Sequence, residues 1–196
     1  MKNIIFDLGN VLINYDFELF FERLGYKRGE RSLAESHHLI APLECGNMEI
    51  EDFISGMRKV YKSSLNREAF TDAWCDVFWE NNSLIEAALK LTEHFRVMIL
   101  SNNDELHFPY IWEKFSSLHF FQDSDIMISS RLRYIKPDIR IYHTAADLHD
   151  FEWKDSLFVD DKLENIEIAR DLGAKGIWHV QDEKTLTELL KITEIK

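Results

Sequence analysis

The chain has 196 residues, of which 45% are hydrophobic and 30% charged, a composition typical of a globular protein with room for a substantial core. Its formal net charge of -12 disfavours nucleic acid and anionic membrane surfaces as partners, because binding their phosphates needs clustered Lys and Arg. No stretch approaches the ~20 apolar residues of a membrane span, and Cys45 and Cys75 lack the spacing of a zinc or redox motif. We therefore expect a cytoplasmic protein with reduced thiols.

Five short apolar runs along the chain have the pattern of buried β-strands. They lie at 4–6, 97–100, 126–128, 157–159 and 176–180, with helical patterns between most of them. This alternation indicates a parallel sheet, and runs that are apolar throughout suit strands covered by helices on both faces. The sequence therefore predicts an α/β fold with a doubly wound parallel sheet.

The segment between the first two runs has no comparable strand pattern. Phe17 and Phe20 begin a series of apolar residues with helical spacing. We predict an all-helical insertion at 16–91, within a core formed by 1–15 and 92–196. An insertion after the first strand emerges at the carboxyl edge of the sheet, where ligands bind in such folds. We therefore expect this segment to form a cap.

Three further patterns predict helical structure. Apolar residues within 163–172 share one helix face, and 183–191 has the pattern of a surface helix. Trp74, Phe78 and Trp79 also have helical spacing, and we interpret them as part of the core of the insertion, with contact to a sugar substrate as the open alternative.

Polar residues follow three of the predicted strands directly. Asp7 follows the first strand, Ser101 and Asn102 follow the second, and the pair Asp160 and Asp161 follows the fourth. The ligand crevice of an open parallel sheet lies just beyond the carboxyl ends of its strands. We therefore expect these side chains to converge.

These residue types suit phosphoryl transfer. A carboxylate such as Asp7 can attack phosphorus and form an aspartyl-phosphate. A hard cation such as Mg²⁺, anchored by Asp160 and Asp161, would offset the repulsion between that carboxylate and the phosphate. The phosphate oxygens would be met by a hydroxyl, an amide and an ammonium, which are supplied by Ser101, Asn102 and Lys136.

Four segments in order resemble the motifs of the haloacid dehalogenase superfamily, and together they span nearly the whole chain. The segments are 6–11, 100–102, 136–138 and 160–166. Within the superfamily they are similar to the sugar-phosphate phosphatase group. The resemblance implies a Rossmann-like core, a helical cap and Mg²⁺-dependent hydrolysis of a small phosphorylated metabolite.

The resemblance also implies a role for each motif residue. Asp7 would be both the nucleophile and a ligand of Mg²⁺, and Gly9 would bind the ion through its backbone carbonyl. Asp161 would bind the ion as well, with Asp160 acting directly or through water. The phosphate would be contacted by Ser101, Asn102 and Lys136, the last of which also steadies the nucleophile.

Gly9 departs from the superfamily pattern, which has an Asp at this position as general acid and base. General acid catalysis contributes about 10²- to 10⁴-fold, so its loss slows cleavage of poor leaving groups. Either Gly9 biases the enzyme toward better leaving groups, such as anomeric sugar phosphates, or Asp16 or a water replaces the acid. The segment 44–47 is expected in the cap.

Three alternatives remain open from the sequence. A dehalogenase of the same superfamily would attack carbon through Asp7 without a metal, which Gly9 permits but which leaves Asp160 and Asp161 without a use. A phosphotransferase or mutase would pass the phosphoryl group to an acceptor other than water. A catalytically impaired protein would still bind phosphate. The sequence gives no indication of the oligomeric state.

Overall fold

A five-stranded sheet lies at the centre of the protein. The computed structural model describes residues 1–193. The strands are β1 (Asn3–Phe6), β2 (Ile13–Tyr15), β3 (Phe78–Glu80), β4 (Arg96–Ser101), β5 (Ile126–Ile128), β6 (Ser156–Asp160) and β7 (Lys175–Trp178). The helices are α1 (Glu18–Arg23), α2 (His37–Glu44), α3 (Ile50–Val60), α4 (Arg67–Cys75), α5 (Asn82–Leu91), α6 (His107–Lys114), α7 (Ser129–Leu132), α8 (Ile139–His149), α9 (Leu163–Asp171) and α10 (Asp182–Thr193).

The strands of the central sheet all run parallel, in the order β5-β4-β1-β6-β7. The two remaining strands, β2 and β3, form a separate antiparallel ribbon. The five strands predicted from apolar runs are confirmed, each within two residues of its expected limits. The predicted parallel α/β class is confirmed with them.

The two faces of the sheet pack against different sets of helices. On β1, Ile4 and Phe6 lie in a cluster with residues of α5 and α6, whereas Ile5 lies in a second cluster with residues of α8 and α9. Successive side chains of a strand point to opposite faces, so an uninterrupted apolar run fills both clusters. The doubly wound arrangement follows from this packing.

Helices α1 to α4 pack into a third cluster of their own. Its centre is aromatic and includes Phe20, Phe53, Phe70 and Trp74, all of them buried. The rings of Phe20 and Trp74 meet edge to face with their centroids 5.0 Å apart, a geometry that adds to the stabilisation from buried area. The predicted helical insertion therefore has a core separate from the two clusters of the sheet.

The insertion that we expected at 16–91 includes helix α5, whose packing bears on where the insertion ends. Helix α5 packs Leu84, Ile85 and Ala88 into the same cluster as β1, so this helix belongs with the sheet. Strand β3 lies just before α5 in the chain and pairs with β2, which precedes α1; this ribbon was not predicted. We therefore propose that the insertion ends at this ribbon.

The remaining helical predictions have mixed outcomes. Trp74 is buried in the insertion as interpreted, but Trp79 is 46% exposed on strand β3, so that part of the interpretation is wrong. The helices predicted at 163–172 and 183–191 are confirmed as α9 and α10. None of the helices in residues 1–193 is long and apolar enough to cross a membrane.

Candidate active site

Three carboxylates converge at the carboxyl edge of the sheet. Asp7 directly follows β1, Asp160 ends β6, and Asp161 comes next in the chain. Because β1 and β6 are neighbours with Phe6 opposite Val159, their tips lie side by side. Ligand oxygens of the three acids all lie within 4.8 Å of one another. The structure thus brings together the acids that were singled out in the sequence.

Lys136 is a buried cation beside two of these acids. Its Nζ lies 3.0 Å from Asp7 Oδ1 and donates to Asp160 Oδ2 at 2.7 Å and to the Leu100 carbonyl at 2.9 Å. An ammonium group has three N–H donors, and all three have an acceptor here. Lys136 therefore holds Asp7 and Asp160 in place, and a contact with phosphate would require one of these bonds to be exchanged.

Ser101 and Asn102 lie at the tip of β4, next to the carboxylates. Ser101 is buried at the end of the strand. The side chain of Asn102 accepts a hydrogen bond from the Lys136 backbone N–H at 2.7 Å and donates one to the Lys136 carbonyl at 2.9 Å. Asn102 therefore fixes the backbone that presents Lys136, and one N–H of its amide remains for a ligand.

Asp160 is fully buried, and both of its oxygens are already hydrogen-bonded. Oδ1 accepts from the Lys162 backbone N–H at 2.8 Å, and Asn165 Nδ2 donates to Oδ1 at 2.8 Å and to Oδ2 at 2.9 Å. Direct contacts with a cation would therefore fall to Asp7 and Asp161, with Asp160 better placed to act through water. The buried Oδ1 of Asn165 has no hydrogen-bond partner within residues 1–193, so it can accept from such a water.

The electrostatics of this cluster fit a divalent cation. Burial raises the pKa of Asp7 to about 7, with the charges of Asp160 and Asp161 adding to the shift and Lys136 opposing it. Three carboxylates and one ammonium leave an excess of negative charge that a dication would offset. The donors are all oxygens, which Mg²⁺ prefers. No hydrogen bond among residues 1–193 ends on the Gly9 carbonyl, so this oxygen is also available to a cation.

Two adjoining cavities open above the strand tips. One, of about 100 Å³, reaches Asp7, Lys136 and Asp161. The other, of about 90 Å³, extends toward Phe17 and His107. Both are lined by Gly9, Tyr15, Glu44, Ser101 and Asn102. A ligand spanning them would have one end among charged groups and the other among aromatic rings.

Comparison with known proteins finds a related phosphatase and structures with the same fold. No family model matches the chain. It is 29% identical over 193 residues to D-ribitol-5-phosphate phosphatase of Bacteroides thetaiotaomicron, a match that covers 88% of this chain and 89% of that protein. A haloacid dehalogenase family enzyme from the same organism, in complex with magnesium and inorganic phosphate, has a TM-score of 0.79 at 23% identity, over 90% of this chain and 93% of that one. A haloacid dehalogenase-like hydrolase from Porphyromonas gingivalis has a TM-score of 0.80 at 21% identity, over 100% and 99% of the two chains.

The chain is similar in sequence to a D-ribitol-5-phosphate phosphatase and shares its fold with haloacid dehalogenase family enzymes. The fold and the carboxylate cluster agree with the resemblance found in the sequence motifs. Mg²⁺ is the cation that its donor set suits.

Gly9, where the sequence departs from the pattern of the superfamily that it resembles, faces an aromatic ring. A Cβ atom added to Gly9 would lie 3.1 Å from Cε1 of Tyr15, so a side chain at this position would press against the ring and require it to shift. Burial, together with nearby acids, raises the pKa of Tyr15 to about 12, and its phenol therefore stays protonated at neutral pH. The Tyr15 ring thus packs close to the position where the side chain of an acid at position 9 would begin.

Asp16, one of the two replacements considered for the missing acid, has other partners. Its Oδ1 accepts from the Glu18 backbone N–H at 3.0 Å, and its Oδ2 pairs with Arg28 at 2.8 Å. The pKa of Asp16 lies below its ordinary value, chiefly because of the hydrogen bond from Arg28. Asp16 also lines neither of the two cavities over the strand tips. This geometry does not favour Asp16 as a proton donor.

Sequence reasoning missed several residues around the cavities. Asn165 lies one turn into the helix that follows the acidic pair, and that spacing could have identified it. Glu44 and Tyr15 line the cavities only because the insertion packs over the sheet, and no local pattern in the sequence signals this. His107 was assigned no role, yet its ring is buried, with Nδ1 3.2 Å from Asp104 Oδ2 and Nε2 3.2 Å from the Trp74 carbonyl.

Proposed function

We propose that the protein is a Mg²⁺-dependent phosphatase that hydrolyses a small phosphorylated metabolite of the sugar-phosphate class. The observation that supports this most is the grouping of Asp7, Asp160 and Asp161 within 4.8 Å, beside a cavity that Ser101 and Asn102 also line. Such a site offers a nucleophile, a place for a cation and donors for phosphate oxygens.

In the proposed reaction Asp7 attacks phosphorus and the bond from phosphorus to the substrate alcohol breaks. Water then attacks the resulting aspartyl-phosphate, which releases inorganic phosphate and regenerates the Asp7 carboxylate. Mg²⁺, when bound, supplies charge neutralisation at the transferring oxygens. Lys136 holds Asp7 in position, and Ser101 and Asn102 offer donors to the phosphate.

Two further observations support a sugar or polyol phosphate as substrate. The curated relative is a D-ribitol-5-phosphate phosphatase, and a structural neighbour contains magnesium and inorganic phosphate. On the side away from the carboxylates the cavity is lined by Tyr15, Phe17 and Phe78, against which the C–H faces of a sugar or polyol can pack. A dehalogenase would leave the Asp160 and Asp161 pair without a use, and no feature of the site favours it.

A screen of phosphorylated sugars and polyols, including D-ribitol 5-phosphate, tests this function. We expect phosphate release from at least one of them in the presence of Mg²⁺ and none after chelation. Adding acceptor alcohols separates a phosphatase from a phosphotransferase, since only the latter forms a new phosphate ester. Absence of Mg²⁺-dependent release from every substrate would contradict the proposal and favour a protein that only binds phosphate.

A further inference from the structure

The proposed reaction needs a proton for the alcohol that leaves, and position 9 cannot supply it. Gly9 has no side chain, and the ring of Tyr15 fills the adjoining space. Without a proton donor, an alkoxide leaves slowly. The donor has to lie in the cavity next to the phosphate and on the side where the leaving group would sit.

Glu44 occupies that position. It is the last residue of α2 in the insertion, and it lines both cavities over the strand tips. In the cavity on the aromatic side, it is the one carboxylic acid among the lining residues. Its carboxyl group makes no hydrogen bond or ion pair within residues 1–193, in contrast to Asp7 and Asp160. It is therefore free to interact with a substrate.

The backbone around Glu44 is held against the core. Ser129 Oγ donates to the Glu44 carbonyl at 2.7 Å and accepts from the Asn103 backbone N–H at 2.9 Å. Two residues later Gly46 has a φ of +66° and approaches the Ser130 carbonyl so closely that no Cβ would fit. Glu44 is thus fixed relative to the tip of β4, where Ser101 and Asn102 lie.

We infer that Glu44 is the general acid that protonates the leaving-group oxygen, in place of the acid that Gly9 lacks. This inference rests on the proposed phosphatase function. As Asp7 bonds to phosphorus and the ester bond breaks, the carboxyl proton of Glu44 passes to the departing oxygen, which leaves as a neutral alcohol. Glu44, now a carboxylate, takes a proton from the water that hydrolyses the aspartyl-phosphate, and the cycle closes.

The surroundings of Glu44 are consistent with this role. Burial raises its pKa to about 7, with Asp104 adding to the shift and His107, Lys162 and Lys136 opposing it. A carboxyl with such a value is protonated in a large fraction of molecules at neutral pH and remains a strong enough acid to release the proton.

Other acidic groups near the cavities are less suited to the role. Burial alone would raise the pKa of Asp104, but the charge and hydrogen bonds of His107 hold it below its ordinary value, so this carboxyl has no proton to give. Asp161 accepts from Asn10 at 3.2 Å and belongs to the cluster suited to the cation. The Tyr15 phenol, with its pKa of about 12, is too weak an acid.

The test compares leaving groups in the first turnover. Glu44→Gln keeps the size of the side chain and removes the proton. We expect it to slow alcohol release from D-ribitol 5-phosphate by about 10²- to 10⁴-fold, and release of nitrophenolate from 4-nitrophenyl phosphate by less than about tenfold, because that leaving group needs no proton. Glu44→Asp, which keeps an acid, should recover part of the lost rate.

Controls separate catalysis from folding and binding. Glu49→Gln makes the same change at an exposed residue that lines neither cavity, and should leave both rates unchanged. Binding of inorganic phosphate with Mg²⁺, measured by calorimetry, should be the same in Glu44→Gln as in the wild type. Equal losses on both substrates, or no loss on the alkyl phosphate, would overturn the inference while the phosphatase function stands. Wild-type protein that cleaves only the aryl phosphate would also overturn it, and wild-type protein that cleaves neither contradicts the proposed function itself.

Discussion

Lys136 shows how single residues of the site depend on one another. Its ammonium contacts Asp7, Asp160 and the Leu100 carbonyl, while Asn102 holds its backbone from both sides. A buried charge is tolerated only when it is paired, and here one cation balances two buried acids. Stability and catalytic geometry therefore depend on the same side chain.

Replacing Lys136 with Met should lower the free energy of unfolding by about 3–5 kcal/mol, because two buried carboxylates lose their partner. Urea denaturation without Mg²⁺ measures the effect. Lys184→Met is the matched control, since Lys184 is exposed and its loss should change stability by less than about 0.5 kcal/mol. If the two substitutions lowered stability by similar amounts, the buried ion pairs of Lys136 would contribute little to the free energy of unfolding.

Gly9 and Tyr15 should behave as a coupled pair. The added methyl group of Gly9→Ala presses against the Tyr15 ring, and we expect a cost of about 1–3 kcal/mol in the free energy of unfolding. In a Tyr15→Leu background the cost should fall by at least about 0.5 kcal/mol, as expected for residues in contact. A double-mutant cycle in urea measures this coupling, and a coupling of zero would mean that the ring does not limit position 9.

At the scale of elements, the junction between α2 and α7 positions the insertion over the sheet. The Glu44 carbonyl accepts from Ser129, and Arg133 donates to the Gly46 carbonyl. These contacts join the segment after α2 to the segment after β5. The orientation of Glu44 over the strand tips thus depends on a close approach of two backbones.

Gly46→Ala should disrupt this junction. The residue has a positive φ, and a Cβ would overlap the Ser130 carbonyl oxygen. Gly29→Ala is the control, because Gly29 has a φ of +78° and no atom lies within 4 Å of an added Cβ. This control therefore measures the backbone strain alone, which costs roughly 1–2 kcal/mol. We expect Gly46→Ala to lower the free energy of unfolding by more than the control and to reduce kcat on alkyl phosphates. Equal losses of stability in the two variants would mean that the backbone at the junction shifts to accommodate the added methyl group.

The elements also show what a sequence can and cannot predict. The central strands were recognisable because runs such as 157–159 are apolar on both faces of a covered sheet. Strand β3 was missed because a three-residue strand with Trp79 exposed has too short a pattern. Asp7 and Asp160 could be proposed from the sequence because they lie at strand ends, whereas Glu44 reaches the cavities only through packing of the insertion. The packing of helix α5 against the sheet could not be predicted, because an amphipathic pattern does not specify which core a helix faces.

For the whole molecule, the site is assembled from parts that lie far apart in the sequence. The core contributes the carboxylates, Lys136, Ser101 and Asn102, the insertion contributes Glu44 and Phe17, and the ribbon of β2 and β3 contributes Tyr15 and Phe78. A ligand that binds only the folded state stabilises the entire fold. Mg²⁺ should therefore act on the stability of the whole chain.

Mg²⁺ at about 100 times its dissociation constant should raise the free energy of unfolding by about 2.7 kcal/mol. Thermal denaturation at increasing Mg²⁺ concentrations measures this without any substrate. Asp161→Asn should lose most of the stabilisation, whereas Asp171→Asn, at an exposed position on α9, should retain it. An equal response of both variants would place the cation elsewhere.

The most direct test of the account is the fate of Asp7 during turnover. Wild-type protein with Mg²⁺ and a phosphorylated sugar or polyol should release inorganic phosphate, and rapid acid quenching followed by mass spectrometry should find a phosphoryl group on the peptide that contains Asp7. Asp7→Asn should form no such adduct and lose activity on the order of 10⁴-fold or more. Sustained turnover by Asp7→Asn, or a phosphoryl group attached to another residue, would contradict the account.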